Sequence, residues 1–326
     1  MTAPADLTPG EVESALHGTT VRRGDRNFRA VSTAAGLLVL LIMAGIAAFL
    51  VWKAIPALTK NQANFFTFSD WKPDDPKVEF GIAALFFGTI VTAVIAMAVS
   101  VPVAFGVALF TAFYAPRRLA AGLGYLVDLL AAVPSIIFGL WGLANLMPRM
   151  VPFWTYLSVH LGFIPLFANN TGLYIKSIAI ASVVLAIMIL PTVSAISREV
   201  FRQVPQGHIE AALALGATRW EVIRTSVFPF ARPGMISAAM LGLGRALGET
   251  IAVALLLSAT FTINWHLTEP GGNTFAALIA LKWNEAGPVG LGALIAAGLV
   301  LFIITLAVNM TARAVINRRA AFSGAN

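Results

Sequence analysis

The chain has 326 residues, with 22 Lys and Arg, 15 Asp and Glu, and no Cys. Hydrophobic residues make up 58% and charged residues only 11%, less than half of the roughly 25% charge that a soluble domain carries. This excludes a soluble globular domain, a disordered polar chain, a disulfide-stapled fold, and thiolate or Cys-based metal chemistry. What remains is an all-α polytopic membrane protein, in keeping with a mean hydropathy of +0.83.

A membrane-spanning helix needs about 20 mostly apolar residues. The first such run is 31–52. Arg22, Arg23, Arg26 and Arg29 precede it, and Lys53-Ala54-Ile55-Pro56 follows. It is longer than the roughly 7–15 apolar residues of a cleaved signal and reads as an uncleaved anchor. The second run, 81–114, would make about 51 Å of helix against a hydrocarbon core of about 30 Å. It reads either as two short spans or as one span that kinks at Pro102 and continues toward the cytoplasm. Further runs lie at 123–146, containing Pro134, and at 178–196, 235–261 and 291–315. The stretch 151–167 is apolar but holds Pro152, His160 and Pro165, and it reads as a folded external loop.

The positive-inside rule selects among these possibilities. With six spans, fourteen basic residues fall on one side, including Arg117, Arg118, Arg198, Arg202, Arg219, Arg224, Arg232 and Arg313. Seven fall on the other, offset by acidic residues such as Asp70, Asp74, Asp75 and Glu79. Splitting 81–114 in two, or counting 151–167 as a span, spoils that bias. Six spans with both termini cytoplasmic is the consistent topology. The bilayer is then the surrounding medium, and the basic residues are topology determinants. They form no aromatic-interleaved face for nucleic acid. The four His residues, His17, His160, His208 and His266, have no metal-ligand spacing, so no metal site and no catalytic constellation are expected.

The longest polar stretch on the inside is 197–232. It reads as two short helices. Gln206 to Leu215 follows Pro205, and Gly216 is placed to end it in the left-handed conformation. Thr218-Arg219-Trp220-Glu221 fits a capping box that opens the second helix. Pro229 and Pro233 are expected to end it before the fifth span. Within this stretch, Glu210-Ala211-Ala212 is followed after three residues by Gly216, and nine residues later by Ser226-Val227-Phe228-Pro229. This resembles the EAA loop of ATP-binding-cassette importer permeases, EAA-x3-G-x9-I-x-L-P, with Ser226 in the place of Ile and Phe228 in the place of Leu. The resemblance implies a type I importer permease fold, in which this loop docks as a coupling helix into a cleft on an ATPase subunit through Glu210, Ala211, Ala212 and Gly216. The chain holds no G-x-x-x-x-G-K-[ST] phosphate loop. The resemblance therefore implies a transport subunit that is not itself an enzyme and binds no cofactor, with ATP on the partner subunit.

Arg245 and Glu249 lie well inside the fifth predicted span, and Asp128 inside the third. A charge at a helix centre costs about 2.5–3.5 kcal/mol on insertion scales. Arg245 and Glu249 are four apart, so on a continuous helix they share a face and are expected to pair. Gly242, Gly244, Ala246 and Gly248 allow close helix packing around them. This face reads as a buried ion pair that fixes packing, as the lining of an anion pathway, or as both. Arg suits an oxyanion because its planar fork donates two parallel hydrogen bonds. The segment from Met240 through Gly244-Arg245-Ala-Leu-Gly248-Glu249-Thr250 resembles a signature of PstC-type permeases. So does Val133-Pro134-Ser135 with the Phe138-Gly139-Leu-Trp141-Gly142 that follows.

That second resemblance covers about 80–315. It implies inward transport of inorganic phosphate across the cell membrane, with Arg245, Glu249, Thr250 and Ser135 on the substrate path. It also implies three partners: a PstA-like second permease subunit, a PstB-like ATPase dimer and a PstS-like external phosphate-binding protein. The expected organisation is a cytoplasmic tail (1–29), an anchor helix with an external loop (30–80), a permease core (81–315) containing the coupling loop, and a second cytoplasmic tail (316–326). Three other readings compete: a permease of the same fold for sulfate or molybdate, an ion-gradient-driven transporter, and an intramembrane enzyme.

Overall fold

The structure is a computed structural model that describes residues 23–320; residues 1–22 and 321–326, with His17, Arg22 and most of the expected tails, lie outside it. It divides into a unit ending at Val51 and a second that begins at Trp52. The anchor is helix α1, Arg23–Lys60. It is apolar on every face, and Leu37, Leu38 and Leu41 are 57–70% exposed, as suits a helix whose solvent is lipid.

In the second unit, a loop with a small antiparallel pair, β1 (Trp71–Lys72) and β2 (Glu79–Phe80), leads into α2, Ala83–Leu109. This pair was not visible in the sequence. Helix α2 runs through Pro102 and ends in a π-helical turn, Phe110–Tyr114. The 81–114 run is thus one helix rather than two spans. Then come α3 (Arg117–Ala132), α4 (Ser135–Trp141), a π turn (Gly142–Leu146) and α5 (Met147–Leu161). Helix α6 is Ile178–Arg202, α7 is Gln206–Ala214 and α8 is Arg219–Val222. The chain ends with α9 (Phe228–Gly248), α10 (Ile251–Leu256), α11 (Phe275–Lys282) and α12 (Pro288–Ala320).

Among the described residues, five helices are long and apolar enough to cross a membrane: Arg26–Lys60, Ala83–Tyr114, Ser135–Leu161, Ile178–Arg202 and Pro288–Ala314. The predicted fifth span is present in two pieces. Helix α9 stops at Gly248, Glu249 is extended (φ −68, ψ 127) and α10 starts afresh at Ile251. The predicted third span also breaks, at Val133 (φ −64, ψ 129), because the ring of Pro134 disfavours a helical residue before it. Its second half joins α5.

The predicted external loop at 151–167 is therefore helical as far as Leu161, and its remainder ends in a short 3-10 turn, Pro165–Phe167. Pro148 falls in the first turn of α5, where no N–H is needed, and Pro152 forfeits a single internal bond. Pro229 and Pro233 do not stop a helix either. A π turn at Ile223–Val227 re-registers the backbone, Pro229 sits in the first turn of α9 and Pro233 is carried inside it.

Helix α6 is the centre of the bundle: 72% of its apolar window is buried, against 28% for α2. Helix α2 packs against it through a stripe that includes Ala93, Ala96, Ser100, Ala104 and Ala108, whose spacing keeps small side chains on one face. On the other flank, α9 approaches closely at Gly242, where a Cβ would meet Val193 and Ile189. The main core joins Met188, Ile189 and Val193 of α6 to Ala238, Leu247 and Leu256.

The loop before α2 is fastened to the far helix. Both Asp74 carboxylate oxygens accept backbone N–H groups at the start of α12, from Gly287 at 2.9 Å and Gly290 at 2.8 Å. An N-cap is normally supplied by the residue that precedes the helix. Here Gly287 has no side chain, and Asp74 supplies the carboxylate from 213 residues away. Asp74→Ala is expected to cost about 1–2 kcal/mol and to increase proteolysis of the 62–80 loop, measured on the purified protein beside Asp74→Asn.

Candidate functional site

The two interrupted helices meet. Gly139 of α4 lies against Ala252 and Leu255 of α10, and Gly142 of the π turn that follows α4 lies against Leu256 and Val184. This register runs α4 and the π turn in the same direction as α10, so their N-terminal ends, at Ser135 and at Glu249–Thr250, fall at the same level. Ser135 is half-buried at the first position of α4, with no cap from a side chain. Thr250 is half-buried as well; its carbonyl accepts from Ala254 N–H at 2.9 Å, and its side chain caps nothing.

The expected ion pair between Arg245 and Glu249 is not formed. Their i,i+4 relation required a continuous helix, and the backbone leaves the helix at Glu249. The Glu249 side chain instead turns to the start of α10, where Oε1 accepts from Ala252 N–H at 3.3 Å. Glu249 is buried, at 8% exposure. Its negative charge sits where a helix start presents free N–H groups.

Arg245, one turn earlier on α9 and half-buried, points toward α6. Its Nη1 donates to Thr192 Oγ1 at 3.0 Å. Among the described residues no carboxylate lies within ion-pair distance of it. The guanidinium thus keeps its full charge and most of its five donors. Sequence reasoning passed over Thr192. The available signal was a hydroxyl residue directly after Pro191 in a mostly apolar span.

Asp128 has a partner that the sequence did not suggest. Arg198, assigned to the cytoplasmic loop, lies on α6 and donates from Nη2 to Asp128 Oδ1 at 3.3 Å and Oδ2 at 3.4 Å. Gly124 leaves room for this guanidinium, which any Cβ there would overlap.

The predicted coupling segment folds as expected. Gly216 has φ 82, in the left-handed region. In the capping box, Glu221 N–H donates to Thr218 Oγ1 at 3.4 Å and Thr218 N–H donates to Glu221 Oε2 at 2.7 Å. The Thr218 hydroxyl also donates to Glu221 Oε2, at 2.8 Å, and the bonds from the Thr218 N–H and hydroxyl together hold the Glu221 carboxyl below its ordinary pKa. Helix α7 contains no buried residue. Glu210 and Ala211 are exposed, Ala212 is half-buried, and Leu215 is 89% exposed. Val204 and Ile209 tie the segment to Ile223 and Val227.

At the opposite end of α6, the loops 162–177 and 257–274 are stitched together. Glu269 accepts from Asn170 N–H at 2.8 Å, from Asn264 Nδ2 at 2.6 Å and from His266 Nδ1 at 3.1 Å.

Residues 100–321 match the profile of the family described as binding-protein-dependent transport system inner membrane component. The chain is 49% identical over 299 residues to the phosphate transport system permease protein PstC 2 of Mycobacterium tuberculosis, covering 90% of this chain and 92% of that one. It is 47% identical to PstC of Mycobacterium leprae (93% and 96% covered) and 35% identical to PstC of Haemophilus influenzae (89% and 92% covered). A solved structure of the MetNI methionine ABC transporter in an inward-facing conformation aligns with a TM-score of 0.51. That alignment covers 73% of this chain and 94% of that one at 18% identity, a likeness of fold alone.

Burial pushes the Glu269 carboxyl up, but the Asn170 N–H, Asn264 and His266 outweigh it, and the group titrates below its ordinary value. Such a carboxylate stabilises the fold fully above its unfolded pKa, and the contribution disappears as the pH falls through the lowered folded value. Hydrogen exchange of the two loops is therefore expected to speed up in acid below about pH 4. Glu269→Gln should lose about 1–3 kcal/mol of loop protection at neutral pH and most of this acid dependence.

Proposed function

Because the chain belongs to the family of binding-protein-dependent transport system inner membrane components, we propose that it is a permease subunit of an ATP-driven importer of inorganic phosphate. The observation that carries this reading is Arg245: a guanidinium in the bundle, held by one neutral hydroxyl, with no carboxylate among the described residues to neutralise it. A charge there costs several kcal/mol, and a structural role would be served at lower cost by a pair such as Asp128 and Arg198. A guanidinium kept free at that depth suits an anion in transit, and its fork matches the oxygens of phosphate. Relatives named for phosphate transport, at up to 49% identity, support the choice of anion.

In this reading the chain forms half of the pathway. The face of α9 bearing Leu241, Gly244 and Gly248 is open, with nothing within 4 Å of a Cβ built on either glycine. It suits close approach of a second, PstA-like permease subunit. Phosphate arrives from a PstS-like binding protein at the external end and passes Arg245. Ser135 and Thr250, at the starts of the two half-helices, stand beside the path. Glu249 acts differently from a counter-ion to Arg245: by occupying the start of α10 with its own carboxylate, it denies that N-terminus to the passing anion and leaves Arg245 as the anion's station. The ATP chemistry belongs to a PstB-like dimer, which engages α7 through Glu210, Ala211 and Ala212. Gly216 makes the reversal that presents this surface. Both termini then lie in the cytoplasm.

Two outcomes test the reading. Arg245→Gln should reduce phosphate uptake by about 100-fold, the loss of charge-assisted bonds to the anion, while complex assembly is retained; unchanged uptake would remove Arg245 from the path. Ala211 is exposed, so Ala211→Trp tests docking rather than folding. It should leave membrane insertion intact and sharply reduce co-purification of the ATPase subunit.

A further inference from the structure

Several hydroxyl side chains in this chain's helices bond to their own backbone. Thr111 donates to Val107 O at 2.9 Å, Thr155 to Val151 O at 2.9 Å and Ser182 to Ile178 O at 2.7 Å. Ser237 donates to Pro233 O at 3.0 Å and Thr311 to Ala307 O at 2.7 Å. This back-bonding to the carbonyl four residues earlier satisfies a hydroxyl in an apolar helix. Thr192 departs from it. Its Oγ1 bonds with no carbonyl of α6 and instead accepts from Arg245 Nη1 across the α6–α9 interface.

The interface is built to permit this. Three residues before Arg245, Gly242 packs directly on Val193, the neighbour of Thr192. That close approach brings the root of the Arg245 side chain within reach of α6. Arg otherwise has considerable rotamer freedom to lose on being placed. The kind of partner also matters. Another guanidinium, that of Arg198 on the same helix as Thr192, is met by a carboxylate. A carboxylate at Arg245 would compete with any anion for the same donors. A hydroxyl fixes one nitrogen by a neutral bond and leaves the charge uncompensated.

We infer that Thr192 is the positioning residue for Arg245, holding one guanidinium nitrogen on α6 so that the remaining donors are presented to the oxyanion. The inference rests on the reading of Arg245 given above, and the experiment separates the two. Initial rates of radiolabelled phosphate uptake are measured for Thr192→Val, Thr192→Ser and Arg245→Gln in the assembled transporter, normalised to complex in the membrane. Val keeps the volume and loses the hydroxyl; Ser keeps the hydroxyl and loses the methyl. Thr192→Val should fall about 10-fold, as removal of one hydrogen bond to a charged group predicts, and Thr192→Ser should stay within about 2-fold of wild type. Equal losses in Val and Ser would reduce Thr192 to packing and overturn the inference. So would a wild-type rate for Thr192→Val beside an inactive Arg245→Gln. Normal uptake by Arg245→Gln would overturn the reading of the site itself, and this inference with it.

Discussion

A helix that stops inside hydrocarbon exposes backbone groups that no water reaches, and each costs several kcal/mol if left alone. The architecture of this bundle follows from that constraint, because two of its helices do stop. The break at Pro134 starts α4, and the break at Glu249–Thr250 starts α10. Both are tolerated because their restarted halves lie in the bundle, with Gly139 against Ala252 and with Gly142 against Val184 and Leu256. At the second break a buried carboxylate turns back to the new helix start. Irregular backbone at membrane depth is admissible where protein or a cavity surrounds it. Here the packing of the two half-helices sets their starts, at Ser135 and Thr250, at the same level.

The same constraint sorts the charges. Arg198, Asp128 and Glu249 each meet an opposite charge or a backbone donor. Arg245 meets only a neutral side-chain hydroxyl. Desolvating a guanidinium without neutralising it is the costlier arrangement, so its presence calls for a purpose that pairing would defeat. In the role proposed for Arg245, transport of an anion supplies one: the cost of burying the charge would be offset when the anion is present, and the site would stay ready when it is absent. A permanent counter-ion would invert this, favouring the empty state.

Much of this was legible in the sequence, for reasons that differ by element. Gly216 and the Thr218–Glu221 box were readable because each is local: the turn and the cap are made within four residues and depend on nothing distant. The long helices were readable from apolar length alone. The errors share a cause. Pro152, Pro229 and Pro233 were taken as stops, yet a proline in a first turn, or beyond a π turn, costs at most one bond. Conversely, Glu249 was placed within a continuous helix because nothing in its neighbours forbids one. The break there is a tertiary fact, set by what α10 packs against, and with it went the expected pair with Arg245. Asp74 on α12, Arg198 on Asp128 and Thr192 on Arg245 are contacts across 53 to 216 residues, which no local pattern carries.

Helix α6 connects these features mechanically. It begins beside the stitched loops around Glu269, carries Thr192 at mid-depth and Arg198 a turn and a half further on. It then ends at Arg202, three residues before α7 begins. It is also the most buried of the membrane-length helices, so it has little freedom to bend independently of its neighbours. This one helix therefore holds Arg245 of α9 on one side and Asp128 of α3 on the other. The tie to α3 is a long ion pair, 3.3 Å with Asp128 more than half exposed, whereas the tie to α9 is a short bond reinforced by glycine packing.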